Sequence, residues 1–136
     1  MEMEIVYPGN KRVDANFRHF TIKTDQPVMG GGEDSAPAPF DLFIASIGTC
    51  AGIYALGFMQ QRGIPTENSK ILLTAQRDPE THLIGKITLD VILPPEFPEK
   101  YTDAIVKAID LCAVKRHLHQ PPDFTIVTRV AEEADA

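Results

Sequence analysis

The chain has 136 residues, 43% of them hydrophobic and 24% charged. That ordinary globular usage excludes a disordered or collagen-like polymer and allows a single domain, residues 1–136, with a proper core. Nineteen acidic against 13 basic side chains leave a net charge of -6, a surface that repels phosphate backbones and sets nucleic acid aside as a partner.

Met1-Glu2-Met3-Glu4 lacks the positive start of a secretory signal, so the expected location is the cytoplasm. Met3, Ile5 and Tyr7 alternate with Glu2 and Glu4 and predict a strand that enters a hairpin at Pro8-Gly9-Asn10. Val13, Ala15 and Phe17 share one face of the next run, whereas Phe20 and Ile22 continue on the other parity. A bulge or break is therefore expected near Arg18. Residues 25–39 carry Pro27, Gly30-Gly31-Gly32, Pro37 and Pro39, a connection long enough to suggest a functional loop.

From Pro39 until Gln60-Gln61-Arg62-Gly63 the apolar residues Phe40, Leu42, Phe43, Ile44, Ile47, Ile53, Tyr54, Leu56, Phe58 and Met59 surround a helix on nearly every side. Pro39 suits the first helical position and Gly63 the position beyond the end. At 1.5 Å per residue such a helix spans about 35 Å and is expected to be buried all round. Phe40 to Met59 holds the single charge Asp41 and is long enough to cross a bilayer, but the amphipathic strands around it need it as their core. No membrane is expected. Ile71, Leu73 and Ala75, a turn through Arg77-Asp78-Pro79, and Leu83, Gly85, Ile87, Leu89, Val91 and Leu93 read as a second hairpin with one wet face.

Tyr101, Ile105, Ala108 and Cys112 recur at helical spacing before Pro121-Pro122. Asp110 can act as an N-cap inside this pattern, which then becomes two helices with Cys112 at the second position of the latter. Phe124, Ile126, Thr128 and Val130 predict a last strand, and residues 131–136 an acidic, disordered tail. The order predicts an α+β fold, with antiparallel sheets around a long buried central helix. There is no internal repeat and no low-complexity segment.

Two cysteines so far apart as Cys50 and Cys112 form neither a zinc ribbon nor a Cys-x-x-Cys motif. Cys50 lies mid-helix beside Ser46, Thr49 and Tyr54, a setting that suits inert packing as well as chemistry. A seam of Ala45, Gly48, Gly52 and Ala55 lets another backbone come close, for example the same helix of a second subunit. Cys112, in the first turn of a helix and followed by Lys115, Arg116 and His117, is expected to favour the thiolate. The same cations, with His119, also complement a helix end without chemistry. His117 and His119 are two apart and do not converge on one metal ion; His19 and His82 are unplaced. No cofactor or metal is called for: phosphate-loop, nucleophile-elbow and paired-carboxylate patterns are lacking.

The run Pro39-Phe40-Asp41-Leu42-Phe43-Ile44-Ala45-Ser46-Ile47-Gly48-Thr49-Cys50, with Met29-Gly30-Gly31 before it and Cys112-Ala113-Val114 after it, resembles the osmotically inducible protein C (OsmC) family over nearly the whole chain. The resemblance implies a cytosolic, intertwined homodimer in which each central helix is held against its mate, with two thiol sites at the interface. It further implies reduction of organic hydroperoxides, Cys50 as the peroxidatic thiol, Cys112 as the resolving thiol, and re-reduction by a lipoyl-type dithiol. In the peroxide-reducing branch a glutamate follows the helix-starting proline and pairs with an activating arginine. Phe40 stands at that place here, Asp41 is about 180° around the helix from Cys50, and either Arg12 or Arg18 suits the arginine. This is the pattern of the less characterised OsmC-like branch. The leading reading is a peroxide reductase whose apolar site includes Phe40, Phe43 and Tyr54; the rival is a dimeric binding or sulfur-handling protein of the same fold.

Overall fold

A computed structural model describes residues 1–132. Its N-terminal part is a three-stranded antiparallel sheet of β1 (Glu4–Gly9), β2 (Arg12–Phe17) and β3 (Phe20–Thr24) in the order β1-β2-β3. The break expected near Arg18 is a tight turn rather than a bulge: Phe17 pairs with Phe20 across Arg18 and His19. Arg18 takes a φ of 50°, the left-handed backbone that such short hairpin turns require. Because the chain reverses there, the change of apolar parity belongs to two strands and not to one kinked strand.

The loop after β3 is fixed from inside by Asp25, which is fully buried. Its carboxylate accepts the N–H groups of Gln26 (2.7 Å), Glu33 (3.3 Å) and Ser35 (3.1 Å) and the Ser35 hydroxyl (2.5 Å). With that hydroxyl as the largest influence, the carboxyl is lowered to about 2, as expected of a carboxylate that accepts several N–H bonds. Gly32 lies so close that a Cβ there would come 2.1 Å from the Gln26 carbonyl oxygen. The glycine run thus serves a compact loop whose ends meet through the Asp25 N–H and the Pro37 carbonyl at 3.2 Å.

Helix α1 spans Pro39–Gln61. Asp41 accepts the Ala38 N–H at 3.0 Å, closing the first turn. At the other end Ile64 N–H bonds Met59 and Gly63 N–H bonds Gln60. With Gly63 at φ 63°, this is a Schellman stop, sealed by contact of buried Ile64 with Met59.

Strands β4 (Lys70–Arg77) and β5 (Ile84–Ile92) pair antiparallel, Leu73 opposite Leu89. Asp78 ties their turn by accepting the N–H groups of Glu80 and Thr81 at 2.8 and 3.1 Å. The C-terminal helical pattern is two helices, α2 (Thr102–Ile109) and α3 (Ala113–His119).

The core forms where α1, α2 and the β4–β5 hairpin meet. Ala51, Ala55, Phe58, Met59, Ile64, Ile105 and Ile109 are buried together there, with Ile71, Leu89 and Val91 packed against them. Phe58 meets Phe97 and Tyr101 at ring centroid distances of 6.3 and 5.9 Å, and the Arg62 guanidinium lies 3.6 Å over the Phe58 ring.

Three expectations are corrected. First, α1 is covered along one side and not all round: Ile53 is 60% exposed and Phe40 49%. Among the described residues α2, α3 and the β4–β5 hairpin are its main cover, and the β1–β3 sheet packs chiefly on itself. By length and a mean hydropathy of 1.8, α1 is apolar enough to cross a membrane, yet its Ala51-Ala55-Phe58-Met59 face closes an interior with α2.

Second, Phe124–Val130 is not a strand. The segment has no regular structure, and Phe124, Ile126 and Val130 are exposed. A strand needs an edge to bond, and among the described residues none runs beside this one. Of the expected tail, residues 133–136 lie outside the described residues. Third, Asp110 is the C-cap of α2 and not an N-cap; Cys112 itself is the N-cap of α3.

Candidate functional site: a thiol pair between two helices

Cys50 projects from the middle of α1, partly buried, and Cys112 stands at the start of α3, 3% exposed. The α2–α3 corner delivers the second thiol. Ile105 and Ile109 anchor α2 to the face of α1 that holds Ala51 and Ala55, and the chain then turns through Asp110 and Leu111 so that Cys112 meets α1. Its carbonyl accepts the Arg116 N–H at 3.1 Å, the first bond of α3. The two thiols are near each other and both free, and each shifts the protonation of the other.

The pair is electrostatically unequal. The Cys112 thiol, then the backbone N–H of Val114, hold Cys50 below the ordinary thiol range; the Ala113 N–H and the Arg116 guanidinium add smaller contributions, against the opposing effect of burial. Cys112 shifts the other way, first because burial disfavours its charged form and second because its proton is engaged by Cys50. The expectation that Cys112 would favour the thiolate is therefore reversed. The N–H groups of Lys115 and Val114 pull Cys112 downward but are outweighed by burial and by Cys50, while the N–H groups of Val114 and Ala113, with Arg116, act on Cys50 across the helix interface.

Replacing Cys112 by Ala removes the largest stabilisation of the Cys50 thiolate. Since only the thiolate alkylates, the pH midpoint for reaction of Cys50 with iodoacetamide is expected to move upward in Cys112→Ala, and the rate at pH 7 to fall. An unmoved midpoint would show that the two sulfurs do not interact.

The remaining candidates separate into those near the pair and those elsewhere. Arg116, first assigned to its own helix end, is the guanidinium that acts on Cys50. Lys115 pairs with Asp110, and His117 turns its Nδ1 to the Ala113 carbonyl at 2.7 Å. Of the two arginines left open in the sequence, Arg12 bonds the Gly9 carbonyl at 3.4 Å and Arg18 lies over the rings of Phe17 and Phe20 at 5.4 and 5.2 Å. Asp41 belongs to the helix cap and supplies no carboxylate to the thiols.

Phe43 and Tyr54 stand seven residues before and four after Cys50, hence on its face of α1; Phe40 packs on Phe43 at 5.5 Å. The small-residue seam faces away from Cys50. Ala45, Gly48, Gly52 and Ala55 line a cavity of about 700 Å3 shared with Ile71 and Leu73 of β4. A Cβ on Gly48 would come 3.3 Å from Leu73 Cδ1, so within the chain the close approach at Gly48 is made by a strand side chain, whereas a Cβ on Gly52 would meet nothing within 4 Å.

The order of strands and helices and the pairing of Cys50 with Cys112 now stand beside a sequence match. A family model described as OsmC-like protein matches residues 31–127. The chain belongs to the OsmC-like family. No functionally curated protein sequence matches it. Among solved structures, the OsmC-like chain is similar to a Psychrobacter arcticus protein described by osmotic stress induction and detoxification response, with a TM-score of 0.70 at 19% identity over 84% of this chain and 85% of that one. It is also similar to an OsmC-like protein from Mycoplasma pneumoniae, TM-score 0.67 at 15% identity over 88% and 87%. An organic hydroperoxide resistance protein OsmC from Legionella pneumophila aligns with a TM-score of 0.52 at 18% identity over 86% and 87%. At these identities the likeness establishes the α+β OsmC-like fold.

Proposed function

We propose that this OsmC-like protein is a thiol-dependent peroxide reductase for organic hydroperoxides, with Cys50 as the peroxidatic and Cys112 as the resolving thiol. The observation that carries the reading is the unequal pair: one thiol acidified by its neighbour and by α3, the other buried and kept protonated. The Cys50 thiolate attacks the terminal peroxide oxygen and the O–O bond breaks. The alkoxide takes a proton and leaves as the alcohol, and Cys50 becomes a sulfenic acid. The Cys112 sulfur, losing its proton, then attacks the Cys50 sulfur and expels water. Two thiols and one hydroperoxide give a disulfide, an alcohol and water, and a dithiol of lipoyl type returns the two electrons.

The aromatic side chains of Phe40, Phe43 and Tyr54 on the reactive stretch of α1 favour an apolar organic group over hydrogen peroxide. The family's organic hydroperoxide resistance members point the same way. We place the protein in the reducing cytoplasm, as a homodimer in which a second copy covers the open side of α1 and the exposed apolar residues Ile5 and Phe124; sedimentation at about twice the mass of 15.0 kDa tests the dimer.

With dihydrolipoamide as reductant, stopped-flow measurement is expected to show sustained consumption of cumene hydroperoxide. Turnover no faster than that of Cys50→Ser would remove the enzyme. A second reading, a dimeric sulfur-handling or binding protein with the same thiols, is favoured by Phe40, which leaves Cys50 without the carboxylate and arginine of the peroxide-reducing branch.

A further inference from the structure

The arginines from β1 to α3 are engaged with one exception. Arg12, Arg62 and Arg77 donate to the carbonyls of Gly9, Phe58 and His82, and Arg18 lies over the rings of Phe17 and Phe20. Arg116 is exposed, and among the described residues its guanidinium has no carboxylate, carbonyl or ring to hold it; the ion pair of α3 is made by its neighbour Lys115. Its place on α3 directs it to the thiols. It follows Cys112 by one turn, and its N–H bonds the Cys112 carbonyl at 3.1 Å. Side chains four apart share a helix face and lean toward the N-terminus, so the Arg116 stem rises toward the Cys112 end of α3, where that helix meets α1.

We propose that Arg116 is the positioning residue that activates Cys50 in this chain, supplied by the helix of the second thiol and not by the N-terminal sheet, and that its unpaired, exposed charge makes the reactivity of Cys50 depend on ionic strength. The proposal rests on the peroxide-reductase reading for its biological use and deepens it by naming the cation and the condition that regulates it.

The other charged and titratable groups around the pair are occupied or stand apart from Cys50. Lys115 and Asp110 neutralise one another. Lys86 of β5 and His119 of α3 border a cavity that is lined by Cys112 and not by Cys50. Lys107 of α2 lies with Tyr54 in the groove between α1 and α2, and Asp41 is engaged in the cap of α1. After the Cys112 thiol and the N–H groups of Val114 and Ala113, the Arg116 charge holds Cys50 down. With Phe40 where the peroxide-reducing branch has a glutamate, no carboxylate at that place competes for this cation. An unpaired guanidinium gives its whole field to the thiolate, but at an exposed position salt screens that field: the Debye length falls from about 30 Å at 0.01 M to about 3 Å at 1 M. An arginine locked to a buried carboxylate would respond far less.

The test follows alkylation of Cys50 by iodoacetamide, read by peptide mapping, across pH and salt. No peroxide enters it; peroxide turnover is measured separately and decides the parent reading alone. At pH 7 and low salt, Arg116→Gln is expected to slow the reaction about threefold, the scale of an exposed charge pair, with its pH midpoint moved upward and the plateau rate at high pH unchanged. A merely structural role would lower the plateau as well. Arg116→Lys keeps the charge and is expected to recover most of the rate, and Lys86→Gln, which removes a cation from the Cys112 side, is expected to match wild type. Raising potassium chloride from about 0.01 M to about 1 M is expected to slow wild type about threefold and to leave Arg116→Gln nearly unchanged. Equal rates in Arg116→Gln and wild type, no recovery in Arg116→Lys, an equal loss in Lys86→Gln, or the same salt dependence with and without Arg116 would overturn the proposal.

Discussion

Cys112→Ser, given one equivalent of cumene hydroperoxide, is expected to gain about 16 mass units and to remain at that mass, as a sulfenic acid on Cys50 with no thiol to condense with. Cys50→Ser under the same treatment is expected to keep its mass. The effect on turnover is all-or-none in both variants, for different reasons. Without Cys50 no oxygen is taken from the peroxide. Without Cys112 the first oxygen is taken but the lipoyl-type cycle stops, and further equivalents carry Cys50 to the sulfinic acid. Whole-protein mass spectrometry over successive equivalents separates the two. The reverse assignment, with the trapped oxygen in Cys50→Ser, would contradict the roles derived from the unequal thiols.

The second large effect is expected in the core that holds the pair together. Ile105 is 1% exposed, the largest fully buried apolar side chain among the described residues, and packs in the cluster formed by Ala51, Ala55, Phe58 and Ile109. Ile105→Ala removes three carbons and leaves a cavity between α2 and α1, at a cost of about 3 kcal/mol within the range for such truncations. Urea unfolding is expected to show a lower midpoint with an unchanged slope. Because α2 leads directly into the corner that places Cys112, the same variant is expected to slow disulfide formation even where it remains folded. A midpoint within the equivalent of about 1 kcal/mol of wild type would mean that the contact between α1 and α2 is not closed at Ile105.

Much of this was legible in the residues. Local chemistry set the limits of α1 through Pro39 and Gly63, and alternation set β4 and β5, because both signals act within a few positions. The approach of Cys50 to Cys112 followed only from the family resemblance, since no local pattern states how α2 turns. What escaped was of two kinds. Asp25 gave little signal, as a single acidic residue before a proline and glycine loop does not announce that four donors converge on it. The electrostatics of α3 were read along the chain and assigned to Cys112, whereas the fold delivers Val114, Ala113 and Arg116 to Cys50 from a different element. The failure of Phe124–Val130 to form a strand has a similar cause: alternation reports which residues are suited to an edge, not whether an edge is present.

Peptide mapping of the wild-type protein under non-reducing conditions, after one equivalent of cumene hydroperoxide, tests most directly that Cys50 and Cys112 act as one redox unit. The account predicts a loss of about two mass units per chain and a single new cross-linked peptide joining Cys50 to Cys112 within the same chain. Both thiols still free to alkylation after the peroxide is consumed, or a cross-link between Cys50 residues of different chains, would contradict it.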